Sequence, residues 1–206
     1  MFRDRRDAGR QVAELLEGHD IEPDMVLAVP RGGLPLGRAV ADALGVPLDV
    51  VVARKIPAPG NPELAIGAVA ADGTVWLNDG HVTGLGVDES YLEETTERER
   101  EAAARKLARY RGDRPAPDLA GKVVAIVDDG LATGATVRAC VRQVQDAGAA
   151  RVVVAVPVGP PDTVEQLREE ADEVVCVETP PHFGAVGQFY DSFPQVSDEE
   201  AMGYLE

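Results

Sequence analysis

In VVAIVDDGLATGAT, residues 123–136, five apolar residues run straight into two adjacent carboxylates, and a turn of small and hydroxyl-bearing residues follows before a helical pattern resumes. A short run rich in valine, apolar at every position, reads as a strand covered on both faces. Asp128 and Asp129 stand at its carboxyl end, and Gly130 and Gly134 permit a tight turn into the next helix. Strand, turn and helix in this order are the unit of a parallel α/β sheet, whose ligands gather at the carboxyl ends of the strands.

The same unit repeats on either side. Residues 6–17 read as an amphipathic helix, 25–29 as a buried strand ending at Pro30, 34–44 as a helix and 48–53 as a second strand. Residues 54–65, RKIPAPGNPELA, read as a proline- and glycine-rich loop. Beyond it, Asp72-Gly73 between alternating apolar residues predicts an antiparallel hairpin over 66–78. A long helix over 88–111 carries TERERE, which reads as a solvated face. After the central strand come a helix over 136–147, a strand at 151–158, a helix at 162–171 and a strand at 173–177. The expectation is one α/β domain spanning 1–206, with a mostly parallel central sheet flanked by helices and an inserted antiparallel hairpin.

Composition narrows the function. The formal net charge is −16, which opposes nucleic acid as a partner because binding a polyanion needs Lys and Arg against phosphates. No apolar run approaches the length of a membrane span, and the charged segment MFRDRRDAGRQVAELL does not resemble a secretory signal, so a cytoplasmic, membrane-free protein is expected. Cys140 and Cys176 read as buried thiols without metal-ligand spacing. Of 20 basic residues only Lys55, Lys106 and Lys122 are lysines; a high-salt habitat or a biased genome would each produce such a surface. A lysine in an unusual place therefore merits attention, and Lys55 follows directly on Arg54.

The turn after Val127 offers consecutive backbone amides, the hydroxyls of Thr133 and Thr136, and the amino end of a helix, which together make an anion site suited to a terminal phosphate. The turn lacks the lysine of a P-loop, and no Gly-x-Gly-x-x-Gly occurs. Two carboxylates repel a bare phosphate. They suit either a sugar phosphate, whose hydroxyls they accept, or a polyphosphate carrying magnesium. Acids at a strand end also cap helices, the alternative structural reading. His19 and His81 have no partners at zinc-ligand spacing.

VVAIVDDGLATGAT resembles the phosphoribosyl pyrophosphate (PRPP) motif of the type I phosphoribosyltransferases. AVPRGGLPLG, residues 28–37, resembles the family's first pyrophosphate loop, and ARKIPAPGNPELAIGA, residues 53–68, stands where its flexible catalytic loop stands. More closely, the chain is similar to a microbial branch that pairs PRGG with PGNPELAIGA. The resemblance implies the type I fold with a small hood, built from the amino-terminal segment, residues 178–206, or both. It implies that Asp128 and Asp129 hold the ribose hydroxyls and the metal side of the ligand, directly or through substrate or water, while Ala132, Thr133, Gly134, Ala135 and Thr136 cradle the 5-phosphate. Arg31, Gly32 and Gly33 would form the first pyrophosphate clamp, in an unusual backbone conformation, with Arg54 and Lys55 as the second; Asp128, Asp129 and Lys55 are the candidate catalytic residues.

Magnesium and PRPP are the implied cofactor and substrate, a nitrogenous base the implied acceptor in nucleotide salvage, and a homodimer the implied assembly. A non-catalytic PRPP sensor is the rival. Many family members carry two consecutive threonines where this chain has Ala132-Thr133, which predicts weaker phosphate binding. Asn61 and Glu63 are candidate loop contacts or plain surface. Phe183, Phe189, Tyr190 and Phe193 can form a stacking platform for a base, or core packing and a dimer contact, with packing the favoured reading. His182 is a candidate acceptor contact or an exposed loop residue.

Overall fold

Apolar runs at 25–28, 123–127 and 151–158 lie side by side because each has two faces to bury and neither can face water. The computed structural model describes all 206 residues, Met1–Glu206. Its main sheet is built from β1 (Met25–Ala28), β2 (Leu48–Val50), β6 (Val123–Val127), β7 (Arg151–Val158) and β8 (Glu173–Glu178), in the order β2-β1-β6-β7-β8. Every pairing in it is parallel.

Alternation along the strands sorts the core into two layers. Val26, Ala28, Ala125, Val127, Val153 and Ala155 face α1 (Arg5–Gly18) and α2 (Gly33–Leu44), meeting Val12, Leu16, Leu34, Leu36 and Val40. Leu27, Val124, Ile126, Val152, Val154 and Val156 face the other way, onto Val137, Cys140, Val141 and Val144 of α5 (Ala135–Asp146). Ile126 is fully buried at the centre of the sheet, where truncation to Ala would cost about 2–5 kcal/mol.

A second, antiparallel sheet lies over α5. It contains β3 (Ala53–Ala58), β4 (Asn61–Ala70) and β5 (Val75–Leu77), in the order β3-β4-β5. The hairpin expected around Asp72-Gly73 is present as β4 and β5, with Asp72 Oδ1 accepting from the Thr74 amide at 2.9 Å. The segment 54–65 departs from expectation: it is not an open loop but most of a hairpin, turning at Gly60 with φ +70°. Pro57 and Pro62 hide the strand pattern. Pro57 is tolerated because it sits on the edge strand at a shift of register, where a missing amide breaks no regular ladder. The single strand expected at 48–53 is accordingly two pieces, one in each sheet, with the chain crossing at Val51-Val52.

The helix α4 (Glu89–Arg111) covers the outer sheet, burying Ile56, Ile66 and Val69 against Val87, Tyr91 and Leu92. Tyr91 Oη donates to the Pro57 carbonyl at 2.9 Å, tying helix to hairpin. The helix expected at 162–171 is shorter, α6 (Pro161–Leu167). Two short helices lie outside the expected elements: α3 (Asp79–Gly84), capped by Asn78, and α7 (Asp198–Gly203), capped by Ser197.

The two ends of the chain meet above the carboxyl edge of the main sheet. Phe2 is fully buried, its amide donates to the Phe189 carbonyl at 2.8 Å, and its own carbonyl accepts from the Asp191 amide at 2.8 Å. Both cysteines are free, Cys140 buried and Cys176 half-buried. No helix is long and apolar enough to cross a membrane.

Candidate active site

Asp128 and Asp129 leave β6 at its carboxyl end, and the Asp128 carboxylate accepts the Asp129 amide at 2.8 Å. The turn after β1 closes directly on them. A Cβ at Gly32 would overlap the Asp129 carboxylate, and one at Gly33 would stand 3.0 Å from the Val127 carbonyl oxygen. Those two glycines are what allow the PRGG turn and the acid pair to share one crevice. The Pro30–Arg31 peptide within that turn is cis.

Past the acids, Gly134 takes φ +74°, a conformation that favours glycine, and launches α5. No side chain caps this helix, so the first-turn amides open onto the turn they follow. Thr163 Oγ1 donates to the Ala132 carbonyl at 3.1 Å and steadies the loop from α6. A concavity of about 120 Å³ lies here, lined by Lys55, Asp128 and residues 130–137. Lys55 thus reaches the cleft from β3, in the other sheet.

Its neighbour Arg54 points away, as alternation along a strand requires. Arg54 Nε donates to Glu99 of α4 at 2.7 Å. Arg31 is exposed at the rim beside Gly32. The Asn61 side chain accepts the Glu63 amide at 3.2 Å at the exposed tip of the β3–β4 hairpin, away from the acid pair's concavity.

The pair is not symmetric. Burial, followed by the charge of Asp129, raises the Asp128 pKa well above the usual carboxylate range. Burial raises Asp129 as well, but Arg5 opposes it: Arg5 Nε donates to Asp129 Oδ2 at 2.8 Å. Arg5 also donates to the Pro194 carbonyl at 2.7 Å and lies 3.8 Å over the Phe193 ring. Tyr190 Oη donates to the Asp129 carbonyl at 2.6 Å. Asp128 lines the cleft while Asp129 is held from behind.

Arg5 does not stand out in the sequence as a site residue, lying among Arg3 and Arg6 with no local signal to separate them, and Tyr190 stands out only as one of the aromatic cluster, not as a partner of Asp129. Lys106 of α4 also reaches the crevice, donating to the Pro30 carbonyl at 3.1 Å. Its rarity as a lysine is the one signal the sequence carries for it.

The aromatic segment is largely packing. Tyr190 is buried between Phe2, with centroids 5.4 Å apart, and Phe193, at 4.8 Å. Phe183 and Phe189 stack on each other at 5.2 Å and remain half-buried. His182 is exposed, and His81 Nδ1 lies 3.1 Å from the Ala65 carbonyl oxygen. No cluster of three or more His, Cys, Asp or Glu side chains is placed to cage a metal ion.

Known proteins resemble the chain in sequence and fold. Over all 206 residues the chain is 44% identical to putative phosphoribosyl transferases of Mycobacterium tuberculosis strains CDC 1551 and H37Rv, and it spans 46% of the length of these relatives. The crystal structure of TT1426 from Thermus thermophilus is 44% identical and superposes with a TM-score of 0.85, covering 100% of this chain and 97% of that one. The AQ2163 protein from Aquifex aeolicus, 14% identical, shares the fold with a TM-score of 0.52 over 84% of this chain and 73% of that one. The family pattern for the phosphoribosyl transferase domain matches residues 5–193, from the arginine that grips the acid pair to the aromatic ring beneath it. The chain belongs to the phosphoribosyl transferase domain family.

Proposed function

We propose that the chain moves the 5-phosphoribosyl group of PRPP to a nitrogen nucleophile, by default a purine or pyrimidine base, as a cytoplasmic enzyme of nucleotide salvage. The observation that carries this reading is the shared cleft, in which an acid, an uncapped helix amino end and a lysine from a second sheet face one another. Such a cleft suits a ligand with a phosphate at one end, hydroxyls in the middle and a second anionic group opposite.

The amides of Ala132, Thr133, Gly134, Ala135 and Thr136, with the two threonine hydroxyls, take the 5-phosphate. Asp128 and Asp129 accept the ribose hydroxyls, Asp128 being the one whose carboxylate is bonded to no cation of the chain. Arg31, Gly32, Gly33, Arg54 and Lys55 receive the pyrophosphate, for which Arg54 exchanges Glu99 for the ligand. In the reaction the bond from C1 to the pyrophosphate oxygen breaks as the bond from C1 to nitrogen forms. Pyrophosphate leaves with the electron pair, and the acceptor's proton passes to solvent.

Magnesium, when bound, neutralises charge on the leaving group. The donor set suits an ion that arrives on the substrate: Asp129 is held by Arg5, so Asp128 is the carboxylate left to meet it, directly or through water. The protein's share is positioning and electrostatics, which asks for no general base. The two chain ends, with Phe183 and Phe189, form the hood that meets the acceptor, and the assembly is a homodimer.

Pyrophosphate release from PRPP and magnesium, measured across a panel of purine and pyrimidine bases, tests the reading. Release that depends on one base is expected. PRPP binding without release with any base would point to a PRPP sensor or to an acceptor outside the panel, and no binding would remove both the enzyme and the sensor.

A further inference from the structure

Lys106 is one of three lysines among 20 basic residues, and it lies on α4, a helix whose charges are mostly exposed. It is half-buried and turns inward, unlike Arg98, Arg105 and Arg109. Its ammonium donates to the carbonyl of Pro30, the first residue of the PRGG turn, at 3.1 Å. No carboxylate forms an ion pair with it, and the Tyr110 ring is 6.0 Å away. An ammonium has three donors in fixed tetrahedral array, so two N–H groups remain for something outside the chain.

The surrounding charges say what that something is. Burial lowers the Lys106 pKa, the charges of Arg54 and Arg31 act in the same direction, and those of Asp198 and Asp128 oppose it. Lys106 itself has no ion-pair partner, and a half-buried ammonium with donors to spare at the PRGG turn suits an anionic ligand. The Lys106 ammonium meets the Pro30 carbonyl and is not among the residues lining the concavity at the amino end of α5. The anion it awaits is therefore separate from the one over α5.

We infer that Lys106 binds the pyrophosphate end of the ligand, closing with Arg31 and Arg54 a cationic rim around the Pro30–Gly33 turn. The inference rests on the transferase reading and deepens it. It also assigns α4 a part in the site: through Arg54–Glu99 and Lys106–Pro30, one helix touches both pyrophosphate clamps.

Calorimetric titration with magnesium pyrophosphate and, separately, with ribose 5-phosphate tests it on the whole chain. Lys106→Gln keeps a donor for the Pro30 carbonyl but removes the charge; Lys106→Arg keeps the charge. A hydrogen bond to a charged group is worth about 1.5–3 kcal/mol, so Lys106→Gln should weaken pyrophosphate binding roughly 10- to 100-fold. Ribose 5-phosphate binding should be unchanged, and Lys106→Arg should recover most of the pyrophosphate affinity. Unchanged pyrophosphate affinity in Lys106→Gln overturns the inference, and so does an equal loss of both ligands, which would mark Lys106 as a structural tie. Wild-type protein that binds ribose 5-phosphate but not pyrophosphate also overturns it. Wild-type protein that binds neither removes the transferase reading itself.

Discussion

Arg5 and Asp129, 124 residues apart, form an ion pair at 2.8 Å with only 9% and 16% of their side chains exposed. The pair joins the start of α1 to the turn after β6, and the Pro194 carbonyl draws the carboxyl-terminal segment into the same knot. Removing one partner of a buried pair strands the other charge. Arg5→Ala should therefore lose about 2–4 kcal/mol, which for a domain of this size lowers Tm by roughly 5–15 °C. A double-mutant cycle with Asp129→Asn would read the coupling directly; additive losses would mean that the two residues stabilise the fold independently.

Asp128 behaves oppositely, because burial raises its pKa and no cation is bonded to its carboxylate. Below the titration range of an unfolded carboxyl both states hold the proton and burial carries no penalty. As pH rises the unfolded chain ionises first, so the folded state loses stability until Asp128 also ionises. Asp128→Asn should thus raise Tm at neutral pH in metal-free buffer, match wild type near pH 3, and still lose PRPP binding. A variant less stable than wild type at neutral pH would show that the Asp128 charge is compensated in the fold. Asp129→Asn belongs to the other class: it leaves Arg5 unpaired, so replacing both acids is not a structurally silent change.

Lys55 is exposed on β3 and makes no side-chain hydrogen bond within the chain, so the fold does not depend on it. It lines the cleft together with Asp128 and the 130–137 turn, and in the proposed reaction it meets the leaving pyrophosphate. A contact that strengthens as charge develops lowers kcat more than it raises Kd. Lys55→Ala should reduce kcat by about 10- to 100-fold with PRPP affinity changed less than about threefold. Equal effects on both, measured by pre-steady-state turnover and equilibrium titration, would make Lys55 a ground-state binding residue.

Legibility in the sequence followed distance along the chain. The β6–α5 turn could be read because strand, acids, glycines and threonines are contiguous, and Lys55 because it is a rare residue beside Arg54. Arg5 could not, since its meaning lies in Asp129 and Phe193, both more than a hundred residues away, and nothing local separates it from Arg3 or Arg6. Lys106 was hidden by the charge pattern of α4, which describes a solvated face and is silent about the positions that turn inward, Lys106 with Glu99 and Arg111. The β3–β4 hairpin was hidden by Pro57 and Pro62, whose local preference is overridden by packing of Ile56 and Ile66 against α4.

Ala132 tests how far the phosphate loop falls short of its own potential. Its side chain is exposed, and its carbonyl already accepts Thr163 Oγ1 at 3.1 Å, which holds the backbone in place. A threonine there adds a hydroxyl to the donors of Thr133 and Thr136 without displacing a buried atom. One further hydrogen bond is worth about 1 kcal/mol net, so Ala132→Thr should tighten ribose 5-phosphate roughly fivefold. Pyrophosphate, proposed to bind at the PRGG turn, should be unaffected, and both affinities can be read by titration of the same two proteins. An unchanged ribose 5-phosphate affinity would mean that the backbone amides alone satisfy the phosphate, whereas a parallel change in pyrophosphate affinity would place the two anions closer together than the uncapped α5 end and the PRGG turn imply.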